Sequence, residues 1–300
     1  MKTPVAFLIF NRPDTTAQVF AAIRQAQPPQ LFVIADGARS DRVGEAEKCA
    51  AARAIIDSVD WECEVFTNYS DVNLGCKTRV SSGLDWVFER VESAIILEDD
   101  CLPDPSFFLF CEKMLDRYRE DERIMVISGN NFQFGQQRTN YSYYFSRFNH
   151  CWGWASWRRA WQHFDVEMKR WQQIKDERWL ELIFDEPRAA KYWQKMFQAA
   201  YDENVNTWAY RWTLACWLQS GLTIIPHVNL VSNLGFGSQA TNTTVKNDLA
   251  NLPVSEMNFP LQHPPFIVRH TLADRFTQNT NFSRSLTKRV LKKIQRQLGA

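Results

Sequence analysis

Ser93-Ala94-Ile95-Ile96-Leu97-Glu98-Asp99-Asp100 runs from an apolar stretch of strand length straight into three carboxylates. Working outward, Val80, Leu84, Val87, Phe88 and Val91 recur at helical spacing just upstream and predict a core-facing helix. Just downstream, Asp104-Pro105 opens a second amphipathic helix. Further upstream, residues 4–10, 31–35 and 63–66 read as short buried strands. They are separated by helices expected from Asp14 or Thr15 to Pro28, and from Val43 to Val59. Residues 124–128 close the series as another strand. Repeated βα units of this kind predict an α/β fold, a mostly parallel sheet flanked by helices. Such sheets bind ligands beyond the carboxyl ends of their strands, and the acidic triplet stands at such an end.

Three adjacent carboxylates repel one another. At an effective dielectric near 20, two unit charges about 4 Å apart cost roughly 4 kcal/mol. A divalent cation reverses that sign, and hard oxygen ligands suit Mg2+ or Mn2+. The same ion can bridge to a substrate diphosphate and stabilise it as a leaving group. A bare Glu-Asp-Asp is usually a solvated turn; its place at the end of a buried strand favours the metal reading. Strand alternation would set Glu98 and Asp100 on one side and Asp99 on the other.

Composition narrows the function classes. The 300 residues carry 35 Lys and Arg against 34 Asp and Glu, a net charge of +1, so no global positive field points to nucleic acid. A hydrophobic fraction of 45% excludes disorder for the whole chain. No stretch of about 18 apolar residues predicts a transmembrane helix. The apolar start is read as a first strand rather than a signal peptide, because Pro4 interrupts it and Asn11-Arg12-Pro13-Asp14 follows. The seven cysteines show no paired spacing and fit reduced thiols, so a cytoplasmic protein is expected.

The second half differs in texture. Ten of the 12 tryptophans fall between Trp152 and Trp217. Helices are expected near 155–173, 176–184, 187–203 and 208–220. No linker separates the halves, so one continuous domain is expected. In it, 1–130 forms a nucleotide-type half, 131–275 an aromatic-rich helical half for an acceptor, and 276–300 a basic tail. Arg284, Lys288, Arg289, Lys292, Lys293 and Arg296, with a partial apolar face, make 284–298 fit either an anionic membrane surface or solvent.

Phe10-Asn11-Arg12-Pro13 after the first strand, Asp36-Gly37 after the second, Asn73-Leu74-Gly75 before a helix and Ile96-Leu97-Glu98-Asp99-Asp100 recur in an order that carries a resemblance. The chain resembles nucleotide-diphospho-sugar transferases of the GT-A fold, over about residues 3–275. It is similar to the branch with a Glu-Asp-Asp form of the DxD motif, as in N-acetylglucosaminyltransferase I, and to a group of bacterial glycosyltransferases. The resemblance implies a metal-dependent glycosyltransferase with Mn2+ or Mg2+, a nucleotide-sugar donor, a UDP-sugar being favoured, and a glycan or lipid-linked acceptor. Peripheral contact with the inner face of the membrane would suit that acceptor.

Carried over by position, Asp100 and Glu98 are the expected metal ligands and Asp99 faces the ribose or a metal-bound water. Phe10, Asn11 and Arg12 hold the nucleotide, Asp36 accepts from the base, Asn73 and Gly75 shape the diphosphate loop, and Arg211 pairs with the diphosphate. Trp152, Trp154 and Trp208 are expected on the acceptor sugar, since indole faces stack on sugar rings, although Trp154, Trp157 and Trp161 also keep a core spacing. The resemblance implies an Asp acting as general base where this chain has Ala209, and Asp and His where it has Gln239 and Asn242. Either Glu203 or Asp202 takes the base role, the mechanism differs, or catalysis is lost. His227, His263 and His270 remain candidates for a late metal or phosphate contact. The rivals are a non-catalytic sugar-nucleotide or glycan binder and a nucleotidyltransferase. The absence of a Gly-rich, Lys-bearing loop after Phe10 argues against the second.

Overall fold

The computed structural model describes residues 1–236, 249 and 251–282. Ten strands are present among them: β1 Val5–Ile9, β2 Gln30–Ala35, β3 Glu64–Tyr69, β4 Ser93–Glu98, β5 Cys101–Pro103, β6 Ile124–Ser128, β7 Tyr143–Ser146, β8 Trp154–Trp157, β9 Leu222–Pro226 and β10 Val231–Asn233. Eight form one sheet in the order β3-β2-β1-β4-β8-β6-β9-β7, and β5 with β10 forms a small antiparallel ladder. Only β8 and β7 run against the other six. The α/β class with a mostly parallel sheet is therefore as the sequence implies.

The apolar runs are continuous because the strands are buried on both faces. Even-numbered Ala6, Leu8, Phe32, Ile34, Ala94 and Ile96 join one core, beside Leu84 and Val87. Odd-numbered Val5, Phe7, Leu31, Val33, Ile95 and Leu97 join the other, with Val19, Ile23, Phe107 and Met114. Helices α1 Pro13–Ala26, α2 Glu45–Ala54, α3 Gly75–Phe88 and α4 Ser106–Arg117 cover the two faces. The aromatic half adds α5 Arg158–Trp161, α6 Trp171–Asp176, α7 Trp179–Ile183, α8 Pro187–Tyr201, α9 Ala209–Leu218 and α10 Thr271–Thr277.

Two expectations change here, the helix over 155–173 and the end of the packed chain. The helix expected over 155–173 is instead strand β8 followed by the short α5 and α6. Trp154 packs into one core while Ala155 and Trp157 pack into the other, so period two wins over the helical spacing. The halves meeting near 130 share one sheet, since β6 pairs with both β8 and β9. The packed chain also runs past 275: buried Gln278 accepts from Trp193 Nε1 at 2.8 Å, and Phe282 lies 4.8 Å from the Trp193 ring. The segment 284–298, Gln239 and Asn242 lie outside the described residues. All seven cysteines are free thiols, and no helix among the described residues is long and apolar enough to cross a membrane.

Candidate active site

A cavity of about 350 Å³ opens at the carboxyl ends of β1, β2 and β4. It is lined by the start of α3, by Asn233, Gly235 and Phe236, and by Glu98, Asp99 and Asp100. The triplet does not alternate as a strand would, because β4 ends at Glu98 and Asp99-Asp100 is a turn into β5. All three residues therefore reach the cavity. Asp99 Oδ2 accepts from the Phe10 amide at 3.0 Å, which ties the end of β1 to the turn. Arg12 Nη1 bonds Asp100 and lies 3.6 Å from Asp99. Asn233 Nδ2 reaches the other Asp100 oxygen at 3.3 Å. Burial, reinforced by the charge of Asp100, pushes the Glu98 carboxyl up to about 8 and Asp99 to about 7.

That donor set is hard oxygen, as Mg2+ or Mn2+ requires. No group of three or more His, Cys, Asp or Glu among the described residues closes into a cage. The set thus fits an ion that takes one or two carboxylates and completes its shell with substrate phosphate and water, the usual habit of Mg2+.

Gly235 shows how tight the arrangement is. A Cβ there would stand 1.9 Å from Asp100 Oδ2 and 3.0 Å from Arg12 Nη1. Its own φ lies outside the left-handed region, so alanine meets no backbone strain, only the carboxylate. Gly235→Ala is therefore expected to fold normally yet, on the nucleotide reading proposed below, to lose nucleotide affinity by about a hundredfold, the cost of displacing one charged group. Thermal melting and nucleotide titration on the same preparation read both halves of that expectation.

Asp36 departs from its expected role. Its Oδ1 accepts from the Gly37 and Leu74 amides, and its Oδ2 from the Gly75 amide and Asn73 Nδ2, at 2.9 to 3.1 Å. Four donors saturate both oxygens, so Asp36 builds the 73–75 loop rather than accepting from a base. Gly75 enters α3 at φ +76°, and a Cβ there would lie 2.7 Å from Asn206 Nδ2. Asn206 Oδ1 in turn accepts from the Lys77 amide at 2.9 Å, capping the first turn of α3. Phe10 lines the cavity, but Asn11 turns aside to Glu45 Oε1 at 2.7 Å. Glu45 is held down to about 2 chiefly by its pairing with Arg39.

Several expected residues lie elsewhere. Arg211 is buried and donates to the Val166, Thr207 and Ala200 carbonyls and to Glu203, so it ties α9 to α8 instead of meeting a diphosphate. Glu203 is bound by Lys77 and Arg211, which hold its carboxyl below the usual range. Asp202 is exposed and bonded to Gln198, and neither acid lines the cavity. Ala209 is outside it as well. Trp154 and Trp208 stack on each other at 5.5 Å inside the core, leaving Trp152 as the indole in the cavity wall, edge-on to Phe236 at 5.4 Å. His227 and His263 bond Ser142 and Tyr143, and His270 caps α10, all away from the cavity.

The sequence did not single out Arg39, Arg79, Asn233, Gly235 or Phe236, all of which line the cavity. Arg79 is buried, its Nη2 bonds the Asn68 carbonyl and side chain at 2.7 Å, and its Nε has no partner. An Arg one turn into the helix that follows Asn73-Leu74 and begins at Gly75 was the available signal.

No family model matches the chain, and no curated protein does. Among solved structures it is similar in part to S. aureus TarS, at 10% identity over 53% of this chain and 47% of that one, with a TM-score of 0.36. It is similar to an active-site mutant of LgtC, at 13% identity over 58% and 65%, TM-score 0.35. A third is 4-diphosphocytidyl-2C-methyl-D-erythritol synthase from Anaerococcus prevotii, at 9% identity over 53% and 72%, TM-score 0.32. The match thus spans about half the length of the TarS chain.

Proposed function

We propose that the chain is a glycosyltransferase that takes its sugar from a nucleotide-diphosphate donor. The observation that carries this reading is the cavity at the ends of β1, β2 and β4, where Phe10, Arg12, the Asp36-built loop and three carboxylates meet. Asp100, with Glu98, would hold Mn2+ or Mg2+, and the ion would supply positive charge to the departing diphosphate. Asp99 fixes the end of β1 and faces the ribose side. Arg79 brings a buried cation to the Asn73-Gly75 end of the cavity. Trp152 and Phe236 offer an aromatic wall to the acceptor sugar, on a glycan or a lipid-linked carrier. A UDP-sugar is the favoured donor, and 284–298 is a candidate for peripheral contact with the inner membrane face, where such carriers are elaborated.

One observation favours a second reading, a sugar-nucleotide binder without transfer. The carboxylates lining the cavity among the described residues are Asp36, Glu98, Asp99 and Asp100; Asp36, Asp99 and Asp100 are engaged in hydrogen bonds and Glu98 is already assigned to the cation, so none is left over as a base for the acceptor hydroxyl. A nucleotidyltransferase is less well served, since no lysine lines the cavity among the described residues.

Calorimetric titration of UDP and GDP, with and without Mn2+, tests the proposal. UDP is expected to bind about tenfold or more tighter with Mn2+, a usual size for linkage between two ligands. UDP release from UDP-sugars over a panel of acceptors then separates transfer from binding alone. If neither nucleotide binds under any metal condition, the transferase reading is wrong.

A further inference from the structure

Arg12 sits where the proposed cation would have to go. Its Nη1 bonds Asp100 Oδ2 and faces Asp99 Oδ1 at 3.6 Å, with all three side chains less than one-fifth exposed. The second Asp100 oxygen is taken by Asn233 Nδ2 at 3.3 Å and by the Cys101 thiol at 3.4 Å. The Gly235 backbone roofs the pair, since an added Cβ would touch both Asp100 and Arg12. A divalent ion therefore cannot reach Asp100 Oδ2 from the cavity while the guanidinium holds it. Negative charge retained in this half-buried cluster is costly unless a cation lies beside it, and Arg12 is the cation in contact with Asp99 and Asp100.

We propose that Arg12 is the resident counter-ion of the acidic triplet and gives way to the divalent cation only when a nucleoside diphosphate arrives to receive it. The inference rests on the metal-assisted reading of the same cavity. In the free protein the single charge of Arg12 offsets that of Asp100, which it bonds, and faces Asp99 at 3.6 Å. In the loaded state the metal takes Asp100, and the planar guanidinium turns to the diphosphate, whose oxygens match its paired donors. Metal alone must evict Arg12 with no anion to accept it, and nucleotide alone finds the guanidinium already engaged. Each ligand thus binds weakly by itself and tightly with the other, a reciprocal coupling through one positioning side chain.

The experiment is Mn2+ titration followed by electron paramagnetic resonance, on the full chain and on Arg12→Gln and Arg12→Lys, each without and with UDP. In the unaltered protein UDP should tighten Mn2+ by about tenfold or more. Arg12→Gln should bind Mn2+ alone about tenfold tighter than the unaltered protein and gain little from UDP, since the competitor is gone. Arg12→Lys keeps the charge but lacks the planar guanidinium fork that would turn to the diphosphate, and should fall between the two. A merely structural Arg12 would give the opposite sign, with weaker Mn2+ binding in both variants. Mn2+ affinity without UDP that is equal or weaker in both variants overturns the inference, while UDP-assisted Mn2+ binding in the unaltered chain would leave the metal reading standing. Absence of Mn2+ binding in every protein, with or without UDP, overturns both.

Discussion

Asp100→Asn is expected to keep the fold and lower sugar-nucleotide turnover by about a thousandfold, the scale set by removing a group that stabilises developing charge. The amide has nearly the shape of the carboxylate, so the ladder of β5 with β10 that begins at the next residue loses nothing: Leu234 still donates to the Asp100 carbonyl at 2.7 Å. What goes is one unit of negative charge at the oxygen proposed to bind the cation. Repulsion within the triplet falls, since the charge of Asp100 contributes to raising both Glu98 and Asp99. The melting temperature should therefore hold or rise slightly while Mn2+-dependent UDP binding disappears. A variant that turns over at a normal rate would remove Asp100 from the chemistry. One that unfolds would mean the pair with Arg12 is chiefly structural.

How much of this was legible in the sequence depends on how local each signal is. The strands β1, β2 and β4 were readable because burial on both faces makes them uninterrupted apolar runs. Strand β8 was not, because Trp154-Ala155-Ser156-Trp157 satisfies both periods, and the choice is made by a slot between β4 and β6 that no local pattern reveals. The acidic triplet could be placed at a strand end, yet its exact exposure depended on where β4 stopped. Asp36 was recognisable as a loop residue of the site. That its oxygens are consumed by the Gly37, Leu74 and Gly75 amides follows only once the 36 and 73 loops are side by side. Asn233 and Gly235 reach Asp100 through the pairing of β10 with β5, more than a hundred residues apart in sequence, and nothing near them announces it. Arg211 fails in the opposite way: a cation near the expected base region looked available, but the carbonyls at the ends of α8 and α9 absorb it.

The tryptophans divide by the same logic, and their division is testable. Trp154→Ala should destabilise the protein by about 3–5 kcal/mol, the usual cost of emptying a large aromatic site in a core. Trp154 is 1% exposed in the middle of the sheet, stacked on Trp208 and within 6.0 Å of the Trp212 ring and 6.2 Å of Trp161. No neighbouring strand can close that gap, because β4 and β6 hold β8 on both sides. Trp152, two residues earlier, is half-buried and meets Phe132 and Phe236 edge-on, each at 5.4 Å, with its remaining surface on the cavity. Trp152→Ala should therefore cost little stability and instead raise the acceptor KM by about tenfold, as expected for loss of one aromatic platform. Urea denaturation and acceptor-dependent kinetics on both variants separate the roles. A Trp152→Ala variant with full acceptor affinity would place the acceptor on another wall. The core assignment of Trp154 would stand or fall separately on the stability measurement, because the two side chains leave β8 and its approach in different directions for different purposes.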